Sequence, residues 1–376
     1  MKASLKLIFL LGSLLTWISC QSPKQEIVRT FSDKADSLFK TVPDFSGIVL
    51  VASKGKPIYH RAFGYQNFET KVPTDTSSIF ELASVSKQFT AAIIMMLKEE
   101  NKLSYDDLVE KYLTALPYPN ITIRQLLNHT SGLPDYQAIM DEHWDKSKVA
   151  NNDDILAYLK KYHPAKSFEP REKYEYSNTG YVLLASIAEK ASGKDFIEMC
   201  RERIFKPLKM NSTDIRTLEA KSAIENFALG HIFMKEKNKY VRADSFPSSN
   251  YTIWLGNRKG PGRISSTTSD LLKWDQALYT NKILKQEILI EAFSPAKLKN
   301  DSLSYYGFGW EIKSDQNEKI VFHTGDNPGY KTEIIRHLDE NKTIIVLCNN
   351  AHAKFGLLLT QLNSMLETKP LSTGSR

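Results

Sequence analysis

Ser84-Val85-Ser86-Lys87 opens an apolar helical pattern that runs from Phe89 to Leu97. Residues three apart share one face of a helix, so the Ser84 hydroxyl and the Lys87 amine can meet. A serine hydroxyl is a poor nucleophile until a base removes its proton. A lysine whose ammonium form is disfavoured, by burial or a neighbouring cation, can be that base. The helix start adds backbone N–H groups that favour developing negative charge. One short segment thus predicts a nucleophile, a base and part of an oxyanion hole. Taken alone, the same four residues also read as an N-cap serine beside a solvated lysine, and the rest of the chain decides between the two.

Two later motifs bear on that choice. Tyr176-Ser177-Asn178 opens a second helical pattern, Tyr181 to Ala191, and His323-Thr324-Gly325 follows a strand-like run, Lys319 to Phe322. By the residues alone, Tyr176 also fits aromatic packing, Asn178 a helix cap and His323 a strand end. The order Ser-x-x-Lys, Tyr-x-Asn, basic-Thr-Gly resembles the penicillin-recognising serine hydrolases. Further stretches resemble the class C-type branch of that family, which holds β-lactamases, DD-carboxypeptidases and esterases. They are Leu126 to Pro134 (LLNHTSGLP), Tyr176 to Tyr181 (YSNTGY), Pro207 to Met210 (PLKM), Tyr306 to Trp310 (YGFGW), and His323 to Gly325 followed by Pro328 to Tyr330 (PGY). The resemblance covers residues 30 to 368.

The resemblance implies a role for each motif residue. Ser84 is the nucleophile, Lys87 takes or relays its proton, and Tyr176 is the second proton carrier. The phenol's ordinary pKa near 10 is expected to fall beside a lysine ammonium. Asn178 holds Lys87 and a substrate amide. His323 stands where many β-lactamases carry lysine. An unshifted imidazole is mostly neutral at about pH 7.5 and still donates one hydrogen bond; if its protonated form binds a substrate carboxylate, affinity should weaken as pH rises through its pKa. Thr324 is expected to hydrogen-bond a substrate carboxylate. Gly325 permits close backbone approach, so the strand edge can pair with a peptide-like substrate. The N–H of Asp326 joins that of Ser84 as the second oxyanion donor. Its carboxylate, turned inward, would disfavour anionic substrates.

Hydrophobic periodicity places strands at both ends of the chain and helices between. Residues 47–52 and 57–63 read as a hairpin around Ser53-Lys54-Gly55-Lys56. Helices are expected at Tyr105–Leu113, Ile123–Leu127, Asp153–Tyr162, Thr179–Ala191, Asp195–Ile204, Thr268–Leu278 and Gln286–Phe293. Strands return at Gly307–Ile312, Lys319–His323, Thr332–Leu338 and Thr343–Cys348, and Phe355–Leu366 closes the chain as an amphipathic helix. This is an α+β class with one mainly antiparallel sheet, drawn from 45–65 and 306–348, and an inserted helical region over about 104–300. The resemblance implies an αβα sandwich with an all-helical domain and the site between them.

The N-terminus reads as an export signal over residues 1–20, with Lys2 and Lys6 before a short apolar run, Leu7 to Trp17. Ser19-Cys20 resembles a lipoprotein cleavage site, although Trp17 departs from the usual leucine-like position. A plain secretion signal is the alternative. Cys20 is therefore the expected lipidation site and membrane partner, 21–29 a polar tether, 30–368 the hydrolase domain and 369–376 a polar tail. Cys200 and Cys348, in helical and strand patterns, read as buried thiols. With 41% apolar and 25% charged residues, the chain can bury a large core without metal or disulfide staples. The eight histidines form no metal-binding motif, and no Gly-x-Ser-x-Gly elbow or nucleic-acid motif occurs. His129-Thr130-Ser131 reads as a structural turn, while Trp310 and Tyr330 fit either cleft or core. No cofactor, metal or nucleic acid is expected; oligomeric state is left open. The expected function is an exported serine hydrolase forming a Ser84 acyl-enzyme on amide or ester substrates such as D-amino-acid peptides or cell-wall fragments. Its rivals are a class C-like β-lactamase, a penicillin-binding sensor that acylates without turnover, and an inactive scaffold.

Overall fold

A computed structural model describes residues 23–313 and 318–367. The signal segment, Cys20 and the polar tail lie outside the described residues. Residues 23–29, expected as tether, form the beginning of helix α1, Pro23–Lys40. The reason lies in the spacing that follows. Phe31, Ala35, Leu38, Phe39 and Val42 recur at helical intervals, and all are buried.

Six strands build the main sheet: β1 Gly47–Ser53, β2 Lys56–Phe63, β3 Glu311–Ile312, β4 Ile320–Asn327, β5 Tyr330–His337 and β6 Lys342–Cys348. Their order is β3-β4-β5-β6-β1-β2, and every pairing is antiparallel. The two ends of the chain meet where β1 pairs with β6, Gly47 opposite Cys348. Alternation along the strands divides two cores. Val49, Val51, Ile344 and Val346 face α1 and the closing helix Phe355–Glu367. Ile48, Leu50, Ile345 and Leu347 face the inserted helices.

The insertion contains α2, Lys87–Glu99, buried along almost its whole length, and α3, Asn178–Ser192, which packs on it. Ser84 lies in a 3-10 turn, Ala83–Ser86, that runs straight into α2. A small sheet pairs Phe80–Glu81 with Ile264–Ser266 and so brings the 260s loop to the start of that turn. Most helices fall where periodicity places them. Tyr105–Leu113 does not; only Val109–Lys111 makes a 3-10 turn. Its backbone is bound across the chain, with Val109 N–H on the Ile121 carbonyl and Arg124 N–H on that of Tyr105. Gly307–Ile312 shortens to two strand residues, because the Gly307 N–H turns back onto the Trp310 carbonyl. Trp310 is core, and Tyr330 is buried with its hydroxyl donating to the Ala228 carbonyl. Cys200 and Cys348 are buried free thiols.

One ion pair ties the insertion to the sheet. Arg336 on β5 donates from Nε to Asp275 Oδ1 at 2.6 Å, and both side chains are fully enclosed. Removing one partner strands a buried charge, so Asp275→Ala is expected to cost about 3–5 kcal/mol of stability. Urea denaturation measures it, and a loss well under 1 kcal/mol would show that the pair is not needed.

Candidate active site

The segment before Ser84 is held on both sides. Leu82 N–H donates to the Ile264 carbonyl at 2.8 Å, and its carbonyl accepts Thr332 Oγ1 at 2.7 Å. Between these anchors Ala83 takes φ +49°, a left-handed conformation that a residue with a Cβ adopts only under constraint. The outcome is a Ser84 hydroxyl at the cleft and a Lys87 side chain sealed beneath it, 0% exposed.

The Lys87 amine has three oxygen partners. They are Ser84 Oγ at 3.0 Å, Asn178 Oδ1 at 2.8 Å and the Pro261 carbonyl at 2.9 Å. Asn178 is the first residue of α3, whose cap is Ser177, accepting from Gly180 N–H. Asn178 is therefore free of the capping task and turns to Lys87. Among the described residues no carboxylate contacts the amine. Burial, with the Arg258 charge second, holds the Lys87 pKa well below the ordinary lysine range.

The Tyr176 ring lies over Lys87, with Nζ 4.7 Å from its centroid. Ser84 is the polar side chain that acts on its hydroxyl. The phenol pKa is raised, not lowered as the sequence suggests. Burial raises it, and Ser84 opposes that only in part. The expected lowering needed a lysine ammonium, and burial disfavours that form. His129 supports Tyr176 from behind, ring on ring at 4.3 Å, and its Nδ1 accepts the Ser177 N–H at 3.1 Å. The His129-Thr130-Ser131 turn thus reaches the site through packing.

His323 departs furthest from expectation. It is 1% exposed. Its Nδ1 meets the Thr324 carbonyl at 2.6 Å and its Nε2 the Tyr306 hydroxyl at 2.7 Å. Burial, then the Lys87 charge, pushes its pKa to about 3. Both nitrogens are thus engaged within the protein, and burial disfavours the protonated form that would be needed to bind a substrate carboxylate. The ring's place is behind the site, between Tyr306 and Tyr176.

Gly325 packs where no side chain fits. A Cβ there would stand 2.3 Å from the Leu82 carbonyl oxygen and 2.2 Å from Thr332 Oγ1. The glycine lets β4 press against the nucleophile segment, so close approach serves the protein's own backbone. Asn327 and Tyr330 flank the two-residue turn Pro328-Gly329, with Gly329 at φ +82°. Antiparallel sites alternate from that closing pair, so Thr324 and Asp326 turn their backbone groups off the open edge of β4. The Asp326 N–H therefore points off the open edge of β4, and the Asp326 side chain is exposed. Thr324 is exposed on the same edge.

The structure brings together Ser84, Lys87, Tyr176, Asn178 and the β4 edge, with His323 behind them. Sequence reasoning missed Pro261, whose contribution is a backbone carbonyl without a side-chain signature. It also missed Tyr306 as the partner of His323, although the Tyr-Gly-Phe-Gly-Trp stretch drew attention to it. Among the described residues no cluster of His, Cys, Asp and Glu could hold a metal ion.

Comparison with known proteins agrees with this architecture. The Beta-lactamase family pattern matches residues 35–362. Penicillin-binding protein 4* of Bacillus subtilis (strain 168) is 42% identical over 318 residues, 83% of this chain and 70% of that protein. A D-aminopeptidase of Brucella anthropi is 26% identical over 307 residues, and the match covers 81% of this chain but 56% of the aminopeptidase. The octameric penicillin-binding protein homologue from Pyrococcus abyssi superposes with a TM-score of 0.77 at 27% identity, over 90% of this chain and 78% of that one.

Because the His323 ring is sealed and its pKa lies near 3, its NMR signals are expected to stay constant between about pH 5 and 8. A midpoint near the ordinary value of about 6.5 would place the ring in contact with water and restore it as a cation.

Proposed function

This chain is a serine hydrolase of the β-lactamase family, and we propose that it acts through an acyl-enzyme on Ser84, with Lys87 as base and Tyr176 as second proton carrier. The observation that carries this reading is the partner set of Lys87. A neutral amine has two hydrogens and one lone pair. Asn178 Oδ1 and the Pro261 carbonyl can only accept, so they take the two hydrogens. The lone pair is left for Ser84 Oγ, 3.0 Å away, whose hydroxyl then donates to it.

The steps follow from that arrangement. As Ser84 Oγ attacks the substrate carbonyl, its proton passes to Lys87 Nζ. The oxyanion forms against the N–H groups of Ser84 and Asp326; a single such donor is worth about 2.7–4 kcal/mol. The proton then moves through Lys87 and Tyr176 to the leaving amine or alkoxide, and the ester to Ser84 remains. Water attacks that ester, gives up its proton by the same route, and releases the acid with Ser84 restored. Asn178 fixes the orientation of Lys87 throughout.

The substrates proposed are amides or esters, with D-amino-acid peptides and cell-wall fragments as the natural candidates. The names of the relatives, a penicillin-binding protein and a D-aminopeptidase, support this class. The neutral His323 and the carboxylate of Asp326 weigh against a β-lactamase, whose substrates carry an anion beside the reacting carbonyl. Export by the N-terminal segment, with Cys20 as its lipid anchor, is part of the proposal and rests on the sequence pattern alone.

Treating the protein with a fluorescent penicillin and a fluorophosphonate, with intact mass and ester turnover as readouts, tests the nucleophile. Label and turnover are expected in the wild type and neither in Ser84→Ala. Stable labelling without product would favour the sensor instead. Removing a general base costs about 10²–10⁴ in rate, and Lys87→Met is expected to lower acylation within that range. The neutral form of Lys87 is the active one, so kcat/KM should rise with pH through its lowered pKa and then level off. A rise that continues to about pH 10 would mean an ordinary lysine and would overturn Lys87 as the neutral base.

A further inference from the structure

Strand β3 pairs with only two residues of β4, Val321 and Phe322. From His323 onward that edge is open. The Glu311 side chain crosses it. Its carboxylate accepts from the Thr324 hydroxyl at 3.5 Å. The side chain that would hold a substrate carboxylate at Thr324 thus already faces a carboxylate. Directly opposite Thr324 on β5 stands Glu333, 7% exposed. Among the described residues its carboxyl has no hydrogen-bond or salt-bridge partner. A buried acid without a partner is costly and needs either a proton or a cation beside it. Burial, then the Glu311 charge, raises its pKa to about 8. Lys331 stands opposite Asp326 and acts on that carboxylate.

The location of this acid pair matters for chemistry. Thr324 adjoins His323, whose ring lies 6.3 Å from that of Tyr176. Tyr176 is the group that hands a proton to the departing atom, so the Thr324 end of the cleft is the leaving-group end. We propose that Glu311 is a specificity-determining residue. It closes the Thr324 anchor to carboxylates and makes the leaving-group end a subsite for ammonium groups. This rests on the hydrolase reading and narrows its substrate class. Amides and esters whose leaving group carries an amine or quaternary ammonium fit the site, and those whose leaving group carries a free carboxylate are repelled.

Three aryl acetates test it on the full chain: phenyl, 3-carboxyphenyl and 3-(trimethylammonio)phenyl acetate. Each kcat/KM, or each rate of Ser84 acetylation by intact mass, is divided by the ester's own hydroxide-catalysed rate. The wild type is expected to favour the cationic over the anionic ester by about tenfold or more, as juxtaposed like charges demand. Glu311→Gln is expected to bring that ratio close to one, chiefly by speeding the anionic ester. A simple packing defect would slow all three alike and leave the ratio in place. Equal rates in the wild type would overturn the inference, as would a preference that persists in a folded Glu311→Gln variant. Ser84→Ala separates the two levels. If it still turns over the esters as the wild type does, or if no ester reacts at Ser84, the hydrolase reading fails and this inference fails with it.

Discussion

A primary amine sealed from water must find a partner for each hydrogen and for its lone pair, or the cost falls on the fold. Lys87 is such an amine, and its three partners come from three distant parts of the chain. Ser84 is local. Asn178 requires α3 to begin beside α2. The Pro261 carbonyl requires the Ile264–Ser266 strand to pair with Phe80–Glu81. Much of the architecture around the site can be read as the means of closing that shell. The same closure keeps the amine from being a surface cation.

A second layer sets the electrostatics. His129, Tyr306 and His323 form an aromatic wall behind Tyr176. The wall excludes water from one side of the proton carriers, so each is pushed toward its neutral form. Lysine and histidine go down; tyrosine goes up. The groups share a common resting state with little charge. At the open side Glu311 and Asp326 stand along the β4 edge, where a cation would be needed to welcome a carboxylate.

Much of this was legible in the residues. Ser84 and Lys87 sit three apart, and covalent geometry alone brings them to one helix face. The strands of the main sheet alternate or run apolar, and the inserted helices carry their caps and terminating glycines. The departures have local causes. Tyr105–Leu113 has the apolar content of a helix, but its backbone groups bind residues 121–124. Glu311 is an ordinary acid in an expected strand, and its reach over the edge follows only from β3 stopping after two residues.

The sequence by itself determined the family, the motif residues Ser84, Lys87 and Tyr176 that point to it, and the order of strands and helices that carries them. These are readable because spacing and periodicity are properties of neighbouring residues. Tertiary structure alone decided the protonation states and the polarity of the cleft. A pKa depends on how much water and charge surround a group, and those surroundings are assembled from segments hundreds of residues apart. Thus His323, read in sequence as a candidate cation, is a buried neutral ring, and Glu311, unremarked in sequence, faces the residue expected to hold the substrate's carboxylate.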